Sequence, residues 1–182
     1  MTTPYGTTSF RHEPGNTSAT YRLIEAVDPV GGRERLEFFL HDTSLPATMP
    51  TADVPTGFSA SNESFDYWTS FYWDKLAMAT HPGDRAYAVN YTWMLEADSG
   101  YGHLMARSVP HTMKRPLESR VWFRYPNQVS TQSHLLNGSG SKPSLIGRVL
   151  DGGASQVIQV AYNAQGKVTS YTDPLGRQTS YS

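Results

Sequence analysis

The sequence predicts an all-β chain, built of antiparallel β-hairpin repeats with one short inserted helix. Three observations carry that reading. The last stretch, Tyr162 to Ser182 (YNAQGKVTSYTDPLGRQTSYS), holds two turn signals ten residues apart, Asn163-Ala164-Gln165-Gly166 and Asp173-Pro174-Leu175-Gly176. Each puts Asn or Asp first and Gly fourth, the signature of a type I turn, and Pro174 pre-sets φ at the second position. The Thr/Ser/Val/Tyr runs KVTSYT and RQTSYS have the composition of short strands. The same element recurs near the other end, where Tyr21–Val27 runs into Asp28-Pro29-Val30-Gly31-Gly32-Arg33 and then Glu34–Phe38. Finally, hydrophobic content of 38% and charge of 17%, with 15 Gly and 12 Pro, suit many short strands and many turns.

The elements follow in order. Residues 1–40 form a hairpin repeat, with a first strand near Thr7–Phe10 and a hairpin over 21–40 in which Glu34, Leu36, Phe38 and Leu40 share one face. Residues 41–120 are an insertion. It opens on an irregular connector, 41–62, to which Pro46, Pro50 and Pro55 deny regular hydrogen bonding. A helix is expected at about 63–80, because Phe65, Trp68, Tyr72, Leu76 and Ala79 recur at three- and four-residue steps. Ser61 or Ser64 caps its start, and Pro82-Gly83 stops it.

A long strand is expected at about 85–97, with Tyr87, Val89, Tyr91, Trp93 and Leu95 on one face and Ala88, Asn90, Thr92 and Glu96 on the other. Residues 103–118 fit no single template. Residues 121–182 are the second hairpin-repeat segment, which opens on a strand at Arg120–Tyr125 and a polar loop at 126–144 before the terminal repeats from Leu145. A looser copy of the repeat is Arg148-Val149-Leu150-Asp151-Gly152-Gly153 followed by Gln156–Tyr162. The whole of 1–182 reads as one domain.

The repeat unit singles out Asp28, Pro29, Gly31, Asn163, Gly166, Asp173, Pro174 and Gly176 as turn residues, the glycines at positions expected to tolerate no Cβ. Tyr162, Tyr171 and Tyr181 are expected to form a cross-strand ladder. With these residues in place, the pattern Tyr-x-x-x-Gly, strand, Asp-Pro-Leu-Gly-Arg-x-Thr-x-Tyr resembles the RHS or YD repeat of bacterial polymorphic toxins and teneurins, most closely over 147–182 and 18–40. The stretches FYWDKLAMATHPGD, YTWML and PLESRVWFRYPNQ are similar to segments that interrupt such arrays in large bacterial RHS proteins. Asn163 stands where the repeat usually has Asp, a mild departure because either residue starts the turn. The resemblance implies a hollow β-shell that encloses a C-terminal toxin in bacterial versions or serves as an adhesion scaffold in teneurins. It also implies an extracellular or cell-envelope setting, adjoining repeats of the same polypeptide as partners, and no enzymatic activity in the wall. Ser182 falls where the repeat would continue, so the chain is expected to be a piece of a longer polypeptide.

Other chemistry is weakly signalled. The 15 basic and 16 acidic residues balance, which argues against nucleic acid. Cysteine is absent, so no disulfide or thiolate metal site is available. No basic n-region or apolar h-region opens the chain, and no apolar run approaches the ~20 residues that span a bilayer. Of six histidines only His103 and His111 group with acids, and no metal motif includes them, so no metal or other cofactor is expected. Gly138-Ser139-Gly140-Ser141-Lys142 lacks the spacing of a P-loop and reads as a loop tip. The sequons at Asn16, Asn62, Asn90 and Asn137 carry almost no weight in a chain this rich in Ser and Thr.

The aromatic run over 65–73 is too dense for one buried helical stripe. Tyr67, Trp68 and Trp73 are therefore candidate ligand-facing aromatics, although packing against Tyr91, Trp93 and Trp122 is the favoured reading. They support the alternative function, a stand-alone β-sandwich that binds carbohydrate or another cell-surface ligand. Unrecognised hydrolase carboxylates are a distant third. Open sheet edges are expected to let the isolated chain self-associate.

Overall fold

The computed structural model describes residues 2–13, 21–42, 44–45, 50–60, 67–97, 104–130, 135–136 and 140–182. Almost all regular structure is antiparallel strand. A small hairpin, β1 (Thr2–Thr3) with β2 (Gly6–Thr7), stands apart from one large sheet. The sheet begins as a meander: β3 (Ser9–Glu13), β4 (Tyr21–Val27), β5 (Arg33–His41), β6 (Tyr67–Trp73), β7 (Val89–Ala97), β8 (Leu104–Lys114) and β9 (Val121–Arg124) pair in chain order. The chain then leaves to form the short pair β10 (Val129–Ser130) and β11 (Leu135–Leu136), with Leu136 beside Leu95 in parallel. It returns to the outer edge of β9 and completes the meander with β12 (Leu145–Val149), β13 (Ser155–Tyr162), β14 (Val168–Thr172) and β15 (Gln178–Ser180).

The aromatic run corrects the sequence reading. Tyr67–Trp73 is a strand, and the helix is confined to α1 (Lys75–Thr80). The run satisfies two periods at once. Its aromatics fit three- and four-residue steps, but Thr69, Phe71 and Trp73 also alternate with Trp68, Ser70 and Tyr72, and aromatic and β-branched residues favour the pleat. Neighbours on both sides decide it, since Phe71 pairs with Glu37 of β5 and with Asn90 of β7. Asp74 then starts the helix, its Oδ1 accepting from the Ala77 amide at 2.8 Å. The proposed caps Ser61 and Ser64, and Phe65, lie outside the described residues.

The expected strand at 85–97 also starts late, because Asp84 caps a 3-10 turn over Arg85–Tyr87. The ambiguous stretch 103–118 contains the long strand Leu104–Lys114. Register shifts on either side of Trp93 break the alternation of β7, so that sequence neighbours Met94 and Leu95 are both buried.

The two faces of the sheet differ. Over β5 and β6 the protected face carries Glu37, Thr69, Phe71 and Trp73, while Leu36 and, further along, Ile24 and Phe10 stay substantially exposed on the other. Helix α1 covers part of the protected face by placing Met78 against Phe71, Trp73 and Ala88. The Pro-rich connector covers another part. Residues 50–60 begin with a 3-10 turn at Thr51–Asp53 and lay Val54, Phe58 and Ala60 on Trp122, while Pro55 is fully buried. A third cluster joins Met94, Val109 and Tyr125.

Candidate functional site

The element with the most regular chemistry is the hairpin turn, and it is built three times in the same way. At Asp28, Asn163 and Asp173 the first residue's amide donates to the carbonyl four residues on, at 2.9, 2.9 and 3.0 Å. The amide of the fourth residue (Gly31, Gly166, Gly176) donates back to the first carbonyl at 3.0, 2.9 and 2.9 Å. Those glycines have φ of 89°, 74° and 79°, the left-handed geometry of a type I turn closed by a G1 bulge. In each, the Asx Oδ1 accepts two further amides, from Val30 and Gly32, from Gln165 and Lys167, and from Leu175 and Arg177, at 2.7–3.0 Å. Pro29 and Pro174 occupy the second position, where φ is fixed near its turn value.

The glycine requirement is torsional. Nothing lies within 4 Å of a Cβ built on Gly31 or Gly176, and on Gly166 the three nearest atoms belong to the flexible end of Lys142. The expectation that these positions tolerate no Cβ thus has its reason in the backbone torsion and not in the space around them. A fourth turn closes the same way at Leu150, with Gly153 at φ 80°, but lacks an Asx side chain.

Where the first residue is Asp, its second oxygen takes a cation. Lys75 Nζ reaches Asp28 Oδ2 at 2.7 Å, and Arg177 Nε reaches Asp173 Oδ2 at 2.6 Å. The Lys75 hydrogen bond, then the Gly32 amide, lowers the Asp28 carboxyl below its ordinary value. At Asp173 the Arg177 amide is the largest cause of a similar lowering. At the uncharged Asn163 turn, Lys142 instead donates to the Gly166 carbonyl and sits 5.6 Å from the centre of the Tyr162 ring.

The repeat tyrosines do not stack on one another. Tyr171 lies between Val160 and Thr179, Tyr162 pairs with Val168 across a bulge, and the Tyr181 amide donates to Thr169. Each therefore faces a β-branched residue, Val or Thr, in cross-strand aromatic and β-branched pairs. Tyr162 adds an anchor, its hydroxyl donating to the Pro143 carbonyl at 3.1 Å.

The candidate ligand-facing aromatics part company. Trp73 is 0% exposed, and its indole donates to the Asp84 carbonyl at 2.8 Å, so it belongs to the core. Trp68 is half-buried, at φ 54°, with Phe38 tilted against it at 6.2 Å. Tyr67 remains 38% exposed but is stacked on His41 at 4.2 Å. The three do not form one platform.

A polar layer inside the protected face escaped the sequence reading. Asn90 Nδ2 donates to Thr69 Oγ1 at 2.9 Å and to the Ser70 carbonyl at 3.2 Å. Arg120 donates to Asn90 Oδ1 at 3.0 Å and to Thr112 Oγ1 at 2.8 Å, and Thr112 also bonds Thr92 at 2.8 Å. Its signal was the Asn90/Thr92 alternation in β7, which resembles a solvated face until strands pack on both sides. Burial holds the Arg120 pKa down at about 10. Two adjoining clefts of about 590 and 680 Å³ share Leu45, Lys114, Glu118, Ser119, Arg120 and Asp151.

Of the grouped histidines, His103 lies outside the described residues, and His111 is enclosed, donating from Nε2 to the Ser59 carbonyl at 3.3 Å. Among the described residues no three His, Cys, Asp or Glu side chains converge on a common point. Asn90 is 7% exposed and fully engaged, whereas Asn16, Asn62, Asn137, Gly138 and Ser139 lie outside the described residues. No described helix is long and apolar enough to cross a membrane.

Residues 162–182 match the family model described as RHS Repeat. The matched segment spans the Asn163 and Asp173 turns together with β14 and β15. No curated protein and no solved structure matches the chain.

Proposed function

We propose that this chain, which carries an RHS repeat at residues 162–182, is a wall segment of a repeat-built β-shell that encloses or displays a toxin or adhesion domain of a larger secreted or surface protein. The observation that carries the proposal is the threefold turn at Asp28, Asn163 and Asp173, two copies of it inside the matched repeat. A side chain that satisfies two amides at each reversal makes the bend independent of what lies beyond it. The unit can therefore be added strand by strand, each new hairpin supplying the edge on which the next one pairs.

In this role the work is exclusion. A continuous hydrogen-bonded sheet shields what lies behind it from water and proteases, and the role needs no catalytic group. Its partners are the adjoining repeats and an enclosed or displayed domain, outside the cytoplasm. The test is to read the parent gene across the codon for Ser182. Tyr-Asp turns continuing for many codons and ending in an unrelated domain are expected. A stop codon within a few residues would overturn the shell reading.

A further inference from the structure

The connector 50–60 is a strap, seated by four specific contacts on strands far away in sequence. The Thr56 amide donates to Ser155 Oγ at 2.8 Å. Arg124 donates to the Gly57 carbonyl at 3.1 Å. Phe58 fills the space over Gly147, where a Cβ would lie 2.6 Å from its ring. His111 Nε2 meets the Ser59 carbonyl at 3.3 Å. Beneath the strap the His111 ring stands edge-on to Trp122 at 5.3 Å between centroids. Trp122 is 1% exposed, and its indole N–H has no acceptor among the described residues. Among the described residues the closed seat thus carries an unsatisfied donor, a cost that opening to water relieves.

We propose that this strap is an acid-released latch, held shut by neutral His111 and opened when that imidazole takes up a proton. A carbonyl only accepts, so the bond to Ser59 fixes the proton on Nε2 and leaves Nδ1 as the site of further protonation. The imidazolium would then be enclosed without a facing carboxylate among the described residues. The charged group that acts on His111 is Arg120, of like sign. Arg120 in turn is attracted by Asp53, a carboxylate of the strap itself. Burial is the largest cause that holds the His111 pKa down at about 4, against 6.5 for an open histidine. Once the strap lifts, His111 regains the ordinary value, and the proton binds the open form preferentially. The opening constant is then expected to rise about tenfold per pH unit between pH ~6.5 and ~4.

The experiment follows hydrogen exchange of residues 50–60 in the full chain from pH 7.5 to 4, corrected for intrinsic exchange, with far-UV circular dichroism as the global probe. Expected is loss of protection confined to the strap, tenfold per unit, while the sheet signal persists. His111→Gln, which keeps an N–H for Ser59 but cannot titrate, should flatten that slope. Gly147→Ala, which displaces Phe58, should open the strap already at pH 7.5. Strap and sheet lost together in the wild-type chain would overturn the proposal, even if both variants fail to fold. So would a His111→Gln strap that opens with the unchanged slope.

Discussion

Asp173 and Asn163 show how one side chain sets a reversal. Both offer an Oδ1 to two amides, and only Asp173 adds an ion pair, so the backbone role and the charge are separable. Asp173→Asn should leave the hairpin nearly as protected as before, whereas Asp173→Ala should expose the amides of Leu175 and Arg177. Hydrogen exchange at those two positions checks the order. Gly176 makes a different demand. At φ 79° with open space around it, a side chain meets torsional cost alone, roughly 1–2 kcal/mol for an ordinary residue. Gly176→Val should therefore loosen the terminal hairpin by about that amount, and Gly176→Asn by clearly less, because Asn tolerates the left-handed region. Equal exchange at Tyr181 in both variants would contradict the torsional account. These residues were legible in the sequence because their chemistry is local: the turn is closed by atoms within five residues of one another.

The aromatic strand shows where local reading fails. Tyr67–Trp73 obeys helical and strand spacing alike, and only its pairing with Glu37 and Asn90 on either side selects the strand. The Pro82-Gly83 stop was legible as helix punctuation, but the start was expected at Ser61 or Ser64, and the Asp74 cap that begins the helix was missed, so the helix is shorter than the aromatic period suggested. Burial now ranks the three candidate aromatics. Trp73→Ala should cost about 3–5 kcal/mol in urea unfolding, as loss of an enclosed indole does. Tyr67→Ala and Trp68→Ala should each cost much less, since one ring is 38% exposed and the other half-buried. The connector was legible as irregular, and three prolines justify that. Its docking was not, because the strap's seat at Gly147 and Ser155 lies about a hundred residues away and no periodicity reports it. The same limit hid the Asn90, Thr112 and Arg120 layer, whose partners come from separate strands.

At the scale of the whole chain, stability is expected to fall in two stages on acidification. The folded His111 pKa of about 4 lies below the open value of 6.5, so the unfolded chain binds the extra proton between them. The neutral-His111 contribution is thus complete above pH 6.5 and declines as pH falls toward 4, by at most about 3 kcal/mol. Asp28 and Asp173, both lowered, add stability above the ordinary carboxylate value and lose it as pH falls through their own lower values. Urea midpoints at pH 7, 5.5, 4.5 and 3 should show both stages, and His111→Gln should abolish the first alone. The strand order has a further consequence, for synthesis. Along the meander each strand docks on its predecessor, apart from the excursion after β9, so the sheet can assemble in the order in which the ribosome delivers it. At every stage one fresh edge waits for the next strand. The strap is the exception: Thr56 finds Ser155 only after 99 further residues have been made, so the segment translated early must be among the last to settle.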